Sequence, residues 1–227
     1  MKTRPIIFSG PMIRAILSGE KTQTRRVVSP APPPESVRAE LCNCPPGSWG
    51  SAGKEFHFCR EDLNPHWQWH LPCRYGMRGD RLWVRETWRV SRKHDAKPPR
   101  DLPPKTMTVF FEAGGTIANQ ENGMWQRDDS YPNGLPEWAG KLRPSIHMPS
   151  WASRLTLEIV GVRVERLQDI TEADAIAEGA MPSIVGGDLD HLKSRAGFQS
   201  LWETICGAGS WSLNPFVWVV EFKRLTP

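Results

Sequence analysis

The sequence predicts an α+β chain, built as a small closed or nearly closed β-barrel with helices packed outside it. Two observations carry this. Apolar and β-branched runs mark about six strands against about three helices. Strands and helices also fail to alternate in the way a doubly wound parallel sheet requires. A third observation sets the scale: 227 residues, 39% hydrophobic and 24% charged, suit one globular domain. Composition excludes a coiled coil, a wholly disordered chain and a membrane bundle, because no apolar run approaches the ~20 residues of a span. The opening MKTRPIIFSGPM has no continuous apolar core, so no secretory signal is expected and a cytoplasmic location is.

The elements follow in order. Pro5-Ile6-Ile7-Phe8 is a short strand, and Ser9-Gly10-Pro11 starts a helix with Pro11 in its first turn. Met12, Ile13, Ile16 and Leu17 form that helix's apolar face, and Gly19 ends it. Residues 21–28 read as a strand. The stretch 29–75 holds clustered prolines, four of the five cysteines and three of the six histidines, and reads as an irregular surface insertion at about 30–75. Residues 81–90 and 107–113 read as strands, and 114–144 as a second long irregular connection. Leu155, Leu157 and Ile159 alternate in one or two strands over 154–167. Thr171 and Asp174 form a variant capping box opening a short helix that stops at Gly179. A helix near 194–206 and a closing strand at 216–225 complete the chain.

Charge and aromatics bear on function. Lys plus Arg is 29 against 25 Asp plus Glu, a mild basic excess compatible with an anionic partner. Eleven Trp against two Tyr is unusual. Most of these Trp are expected in the core, although indoles also stack on bases. In Arg81–Val90 the period of two puts Leu82, Val84, Glu86 and Trp88 on the inner face, with Trp83 and Arg85 opposite. A carboxylate at Glu86 must then be paired or line a pocket, with Lys21, Arg26 or Arg143 as candidate partners. Arg143, Ser145, His147 and Trp151 form a polar–aromatic group suited either to base stacking and phosphate contact or to a hydrogen-bonded rim. Cys42, Cys44, Cys59 and Cys73, with His57, His66 and His70, are of the type that binds structural zinc. Cys42-x-Cys44 is too closely spaced for a standard finger, and unligated thiols are the other reading. Cys206 lies on the apolar edge of its helix and is expected in the core.

The segment Gly19-Glu20-Lys21-Thr22-Gln23-Thr24-Arg25-Arg26 is the most informative. Strand alternation places Thr22, Thr24 and Arg26 on one face and Lys21, Gln23 and Arg25 on the other, with Lys21 at the helix-to-strand bend. Gly19-x-Lys21-x-x-Thr24-x-Arg26 resembles the signature of the ASCH domain, in which Glu usually stands where this chain has Thr24. The Thr variant is similar to that of the small bacterial ASCH proteins that hydrolyse N4-acetylcytidine. Further phrases around residues 8–12, 79–88, 143–149 and 151–154 resemble a subgroup carried by phages and prophages. The resemblance implies a single PUA-like domain over residues 1–227. It also implies a third catalytic residue at Glu178. Thr24 would be the nucleophile, Lys21 the base and Glu178 the acid/base partner. Arg26 would bind substrate or stabilise the oxyanion, with Trp83, Arg85, Glu86, Arg143 and His147 as further substrate contacts. Catalysis would need no cofactor. The expected activity is deacylation of an N4-acylated cytosine nucleoside, in contact with no membrane. The alternative is a non-catalytic module, such as a phage accessory protein, that binds a modified nucleotide or nucleic acid, RNA in preference to DNA.

Overall fold

The computed structural model describes residues 1–41, 55–59, 69–103, 107–120, 123–127, 134–184 and 192–225. In chain order its elements begin with β1 (Thr3–Ile7), α1 (Gly10–Ser18), β2 (Gln23–Val27), β3 (Arg38–Leu41), β4 (Glu55–Cys59) and β5 (Trp69–Pro72). Then come β6 (Arg81–Arg85), β7 (Trp88–Arg89), β8 (Val109–Phe111), β9 (Thr116–Gln120), β10 (Gly123–Arg127) and β11 (Thr156–Arg166). The chain ends with α2 (Glu172–Ala177), β12 (Ser183–Ile184), β13 (Leu192–Lys193), α3 (Ser194–Cys206) and β14 (Phe216–Leu225). This is a mixed α+β chain dominated by sheet, and among the described residues no strand order closes on itself. No helix among them is long and apolar enough to cross a membrane.

The chain divides into two compact units. The first comprises Met1–Gly19, Arg81–Glu158 and Arg224–Pro227. Here β1 runs parallel to β6, and β6 pairs antiparallel with the first residues of β11. Ser9 and Pro11 start α1, and Gly19 closes it in the left-handed conformation. A second antiparallel sheet has the order β10–β9–β8–β7. Its core gathers Trp88, Val90, Val109, Phe111, Ile117 and Met148. Burial alternates without a break from Arg81 to Val90, with Leu82, Val84, Glu86, Trp88 and Val90 inside. The predicted strand is nevertheless broken between β6 and β7, where the chain changes partner from β1 and β11 to β8.

The second unit comprises Glu20–Asp80 and Ile159–Lys223. In it β14 lies between β11 and β2. One face of β14 carries Val217 and Val219 into a cluster with Leu167, Ala175, Phe198 and Trp202 from the helical side. The other face carries Phe216 and Trp218, whose rings meet Phe58 at 5.3 Å and Phe56 at 5.2 Å. Phe56 and Phe58 stand on β4, the middle strand of the antiparallel sheet β3–β4–β5.

That sheet corrects the reading of 30–75 as irregular. Glu55-Phe56-His57-Phe58-Cys59 alternates with period two, and its two rings are buried while the residues between them are partly exposed. The prolines nearby masked a strand whose aromatic face has β14 to cover it. The connection at 114–144 is corrected likewise. It contains β9 and β10, paired antiparallel with Gly123 opposite Gln120. Cys206 is exposed rather than in the core, because it closes the last turn of α3.

Phe58 is fully buried. Truncation to alanine is expected to destabilise the protein by about 3–5 kcal/mol, the cost of a large ring removed from a packed site. A urea titration of Phe58→Ala checks this; a loss below about 1 kcal/mol would mean that β3–β5 is not part of the folded core.

Candidate functional site: a buried charge network on β2

The predicted catalytic residues lie in the second unit, and the backbone sets their positions. Thr171 caps α2: its side chain accepts a hydrogen bond from the Asp174 N–H (3.1 Å), and the Asp174 carboxylate accepts from the Thr171 N–H (3.2 Å). The helix ends at Glu178, and Gly179 takes φ 73°, where any other residue except asparagine or aspartate would be strained. The Thr22 N–H donates to the Ala177 carbonyl (2.8 Å), and the Phe222 N–H donates to the Thr22 carbonyl (2.8 Å). The start of β2 is thus tied to both the end of α2 and β14.

These ties bring Lys21 to Glu178. Lys21 Nζ donates to Glu178 Oε2 at 2.8 Å and to the Glu178 carbonyl at 2.7 Å. Both residues are buried. Desolvation is the largest influence on Lys21. It lowers the pKa below the ordinary 10.5, against the pull of Glu178 and with the help of Arg26 and Arg25. A neutral amine at this position is therefore easier to reach than on a surface lysine.

The residues two and four beyond Lys21 join the same network. Gln23 Nε2 donates to the Asp174 carbonyl (3.0 Å) and to Oδ1 (3.1 Å). The fully buried Arg25 guanidinium meets three carboxylates: Glu165, Asp174 at 3.3 Å and Glu178 at 3.4 Å. Arg163, on the neighbouring β11, bonds Glu165 (3.0 Å), Asp174 (2.7 Å) and Glu221. Arg25, Gln23, Glu165, Arg163 and Glu221 were not identified as site residues from sequence. The period of two in 21–25 and in 163–165 was visible, but nothing local says which carboxylate faces which cation.

Thr24 is also buried and stands opposite Val220 in the β2–β14 register, while Arg26 stands opposite Trp218. Alternation puts both on the side that meets β3–β5, away from Gln23 and Arg25. The Trp218 indole N–H on that side is buried with no acceptor among the described residues. Tyr75 lies within electrostatic reach of Arg26; burial raises its pKa and Arg26 opposes the rise.

The remaining candidates fall in the first unit. Glu86 is buried, and Arg154 holds it in a two-pronged pair, Nε–Oε1 2.9 Å and Nη2–Oε2 2.8 Å. Arg154 also lies 4.2 Å from the Phe111 ring centroid. This corrects the expectation of Lys21, Arg26 or Arg143 as partner: Arg154 starts the chain's return toward β6, which brings it beside Glu86. Arg85 stacks over Trp83 at 4.6 Å, both half-buried. Arg143 is buried, donating to the Lys97 carbonyl (3.0 Å) and the His94 carbonyl (2.7 Å), whereas His147 is exposed. Of the proposed zinc ligands, Cys42, Cys44 and His66 lie outside the described residues. Cys59 is half-buried, Cys73 is buried, and the His57 and His70 rings are 5.9 Å apart on paired strands. Among the described residues no group of three or more His, Cys, Asp or Glu is placed to hold a metal.

Two outcomes follow. Replacing Arg25 by Leu leaves buried carboxylates without their shared cation and is expected to cost about 3–5 kcal/mol, read by urea unfolding. Burial favours the neutral Asp174 carboxyl, but hydrogen bonds from Thr171 and Gln23 and the charge of Arg25 outweigh it and lower the pKa to about 2. A depressed carboxyl stabilises the fold above its unfolded value, 3.8, and loses that contribution as pH falls toward about 2. Thermal midpoints of Asp174→Asn between pH 4 and 2 should therefore fall less steeply than those of the parent; equal slopes would refute the assignment.

Compared with protein-family models, curated proteins and solved structures, the chain matches none.

Proposed function

We propose that the chain is a PUA-like ASCH protein that deacylates an N4-acylated cytosine nucleoside, N4-acetylcytidine being the simplest example. The observation that carries the reading is the Lys21–Glu178 pair, buried at 2.8 Å and three residues ahead of the buried Thr24. A threonine hydroxyl is a poor nucleophile unless a neighbour takes its proton, and a lysine can do so only when neutral. Burial lowers the proton affinity of Lys21, and Glu178 stands ready to hold the displaced proton.

The proposed sequence conserves atoms and charge. Lys21 precedes β2, and its amine must turn from Glu178 to the side of the strand that carries Thr24; there it takes the Thr24 hydroxyl proton as Oγ1 bonds to the acyl carbon. The carbon–N4 bond then breaks, and N4 receives a proton from Lys21, with Glu178 relaying. Water gives a proton to the same lysine as its oxygen bonds to the acyl carbon; the acyl–Oγ1 bond breaks, Oγ1 takes that proton back to restore Thr24, and the carboxylic acid leaves and ionises in solution. The substrate lies on the side of β2 that carries Thr24. There Arg26 and the Trp218 N–H, which has no acceptor among the described residues, would face a developing oxyanion. A second reading, a non-catalytic module for modified nucleotides or RNA, draws support from the half-buried Arg85–Trp83 stack in the first unit.

The test is ultraviolet detection of cytidine from N4-acetylcytidine. The parent is expected to turn over, and Thr24→Ala and Lys21→Met to lose about 100- to 10,000-fold while retaining their circular dichroism. Thr24→Ser should recover part of the rate. The rate should rise with pH along a limb whose midpoint lies below 10.5, absent in Lys21→Met. No turnover by the folded parent would sink this substrate assignment.

A further inference from the structure

In the first unit a groove of about 350 Å³ runs between residues 96–99 and 141–147. Its lining includes Lys97, Lys141, Arg143 and His147, with Pro99 and Pro144 among its apolar wall, and none of the described lining residues is acidic. We propose that this groove binds the phosphate group of a nucleotide or of a nucleic-acid strand.

The groove is built before any ligand arrives. Arg143 ties its two walls together, reaching from one to the carbonyls of Lys97 and His94 on the other. The Lys141 N–H donates to Asp95 Oδ1 (3.0 Å), a second tie between the same segments. The Gly140 N–H donates to the Val90 carbonyl (2.7 Å), and the Arg92 N–H to the Trp138 carbonyl (2.8 Å), fixing the segments where they enter the groove. The Lys97 and Lys141 side chains are thereby held on exposed positions of opposite walls.

The charge is uncompensated. Among the described residues no carboxylate pairs with Arg143, Lys97 or Lys141. Arg143 is buried between two carbonyl acceptors and the face of Trp88, 5.7 Å from the ring centroid, and its Nε–H has no acceptor among those residues. Buried cations are ordinarily paired, as Arg25 and Arg154 are in this same chain. A fixed guanidinium backed by two exposed ammonium groups gives the groove a positive potential. His94, at the groove's edge, has its pKa lowered by desolvation and then by Lys93, Lys97 and Arg143. The volume accommodates a single nucleotide. The proline walls offer flat apolar surface to a sugar or base, while the cations take the phosphate. This inference does not rest on the hydrolase reading, since it needs no turnover and uses no residue of the β2 network.

The experiment is a binding titration of the whole chain with a fluorescein-labelled oligoribonucleotide of about ten residues, competed by cytidine 5′-monophosphate and by inorganic phosphate. The parent should bind at low salt. Lys97→Glu with Lys141→Glu should weaken binding at least tenfold and reduce the slope of log affinity against log salt by about 1.4, two lost phosphate contacts. The neutral pair Lys97→Gln with Lys141→Gln should show the same slope change with a smaller loss, which separates lost charge from a disturbed loop. Competition by the mononucleotide supports a free nucleotide as ligand; binding of the oligonucleotide without that competition supports a strand backbone. Absence of binding by the parent to all three probes, or unchanged affinity in both double variants, would overturn the proposal. Either result is read without an acylated substrate, so it is independent of whether deacylation is found.

Discussion

The second unit depends on keeping the Arg25 guanidinium charged while its side chain is wholly withdrawn from water. An ion moved from water to such a place costs several kcal/mol unless its partners replace the lost hydration. Three carboxylates do so, from two elements: Glu165 from β11, and Asp174 and Glu178 from α2 and its C-terminal cap. β2, α2 and β11, which lies beyond β14 in the sheet, must therefore be correctly placed together before the network is satisfied. Charge pairing of this kind specifies one arrangement more sharply than apolar contact, which tolerates shifts in register.

Lys21 occupies a weaker position in the same network. It shares Glu178 with Arg25 and is close enough to two arginines to be disfavoured as a cation. Burial disfavours the charged amine of Lys21, while the Arg25 guanidinium gathers three carboxylates about it. The Glu178 carboxylate bridges the two, accepting from Arg25 Nη1 at 3.4 Å and from Lys21 Nζ at 2.8 Å. On the opposite side of β2, Thr24 and Arg26 stand opposite Val220 and Trp218 of β14, and Trp218 meets Phe56 of β4.

The first unit handles buried charge in two other ways. Glu86 and Arg154 neutralise each other in a planar two-bond pair beneath Phe111. Arg143 is given two carbonyl oxygens and the face of Trp88 instead, with no carboxylate paired to it among the described residues. The contrast between these two arginines separates a group used for cohesion from one that leaves a field at the surface.

Much of this was legible in the residues alone. Local signals are strong where one short segment settles its own conformation. Ser9 and Pro11 start α1 and Gly19 ends it, Thr171 and Asp174 cap α2, and the alternation of 81–90 matches its burial. Lys21 and Glu178, singled out by resemblance, do come into contact across 157 residues of sequence. What tertiary structure alone decided is pairing. The sequence carries Glu86 and many arginines, but only the path of the chain after residue 150 makes Arg154 its partner. It carries an alternating Phe56 and Phe58, but among prolines these have no visible partner until β14 supplies one. It carries Arg25 beside Arg26, and only the sheet shows one among carboxylates and the other facing Trp218. Caps and periodicities are satisfied by near neighbours in sequence, whereas buried charges and aromatic faces are satisfied by groups that folding brings from far along the chain.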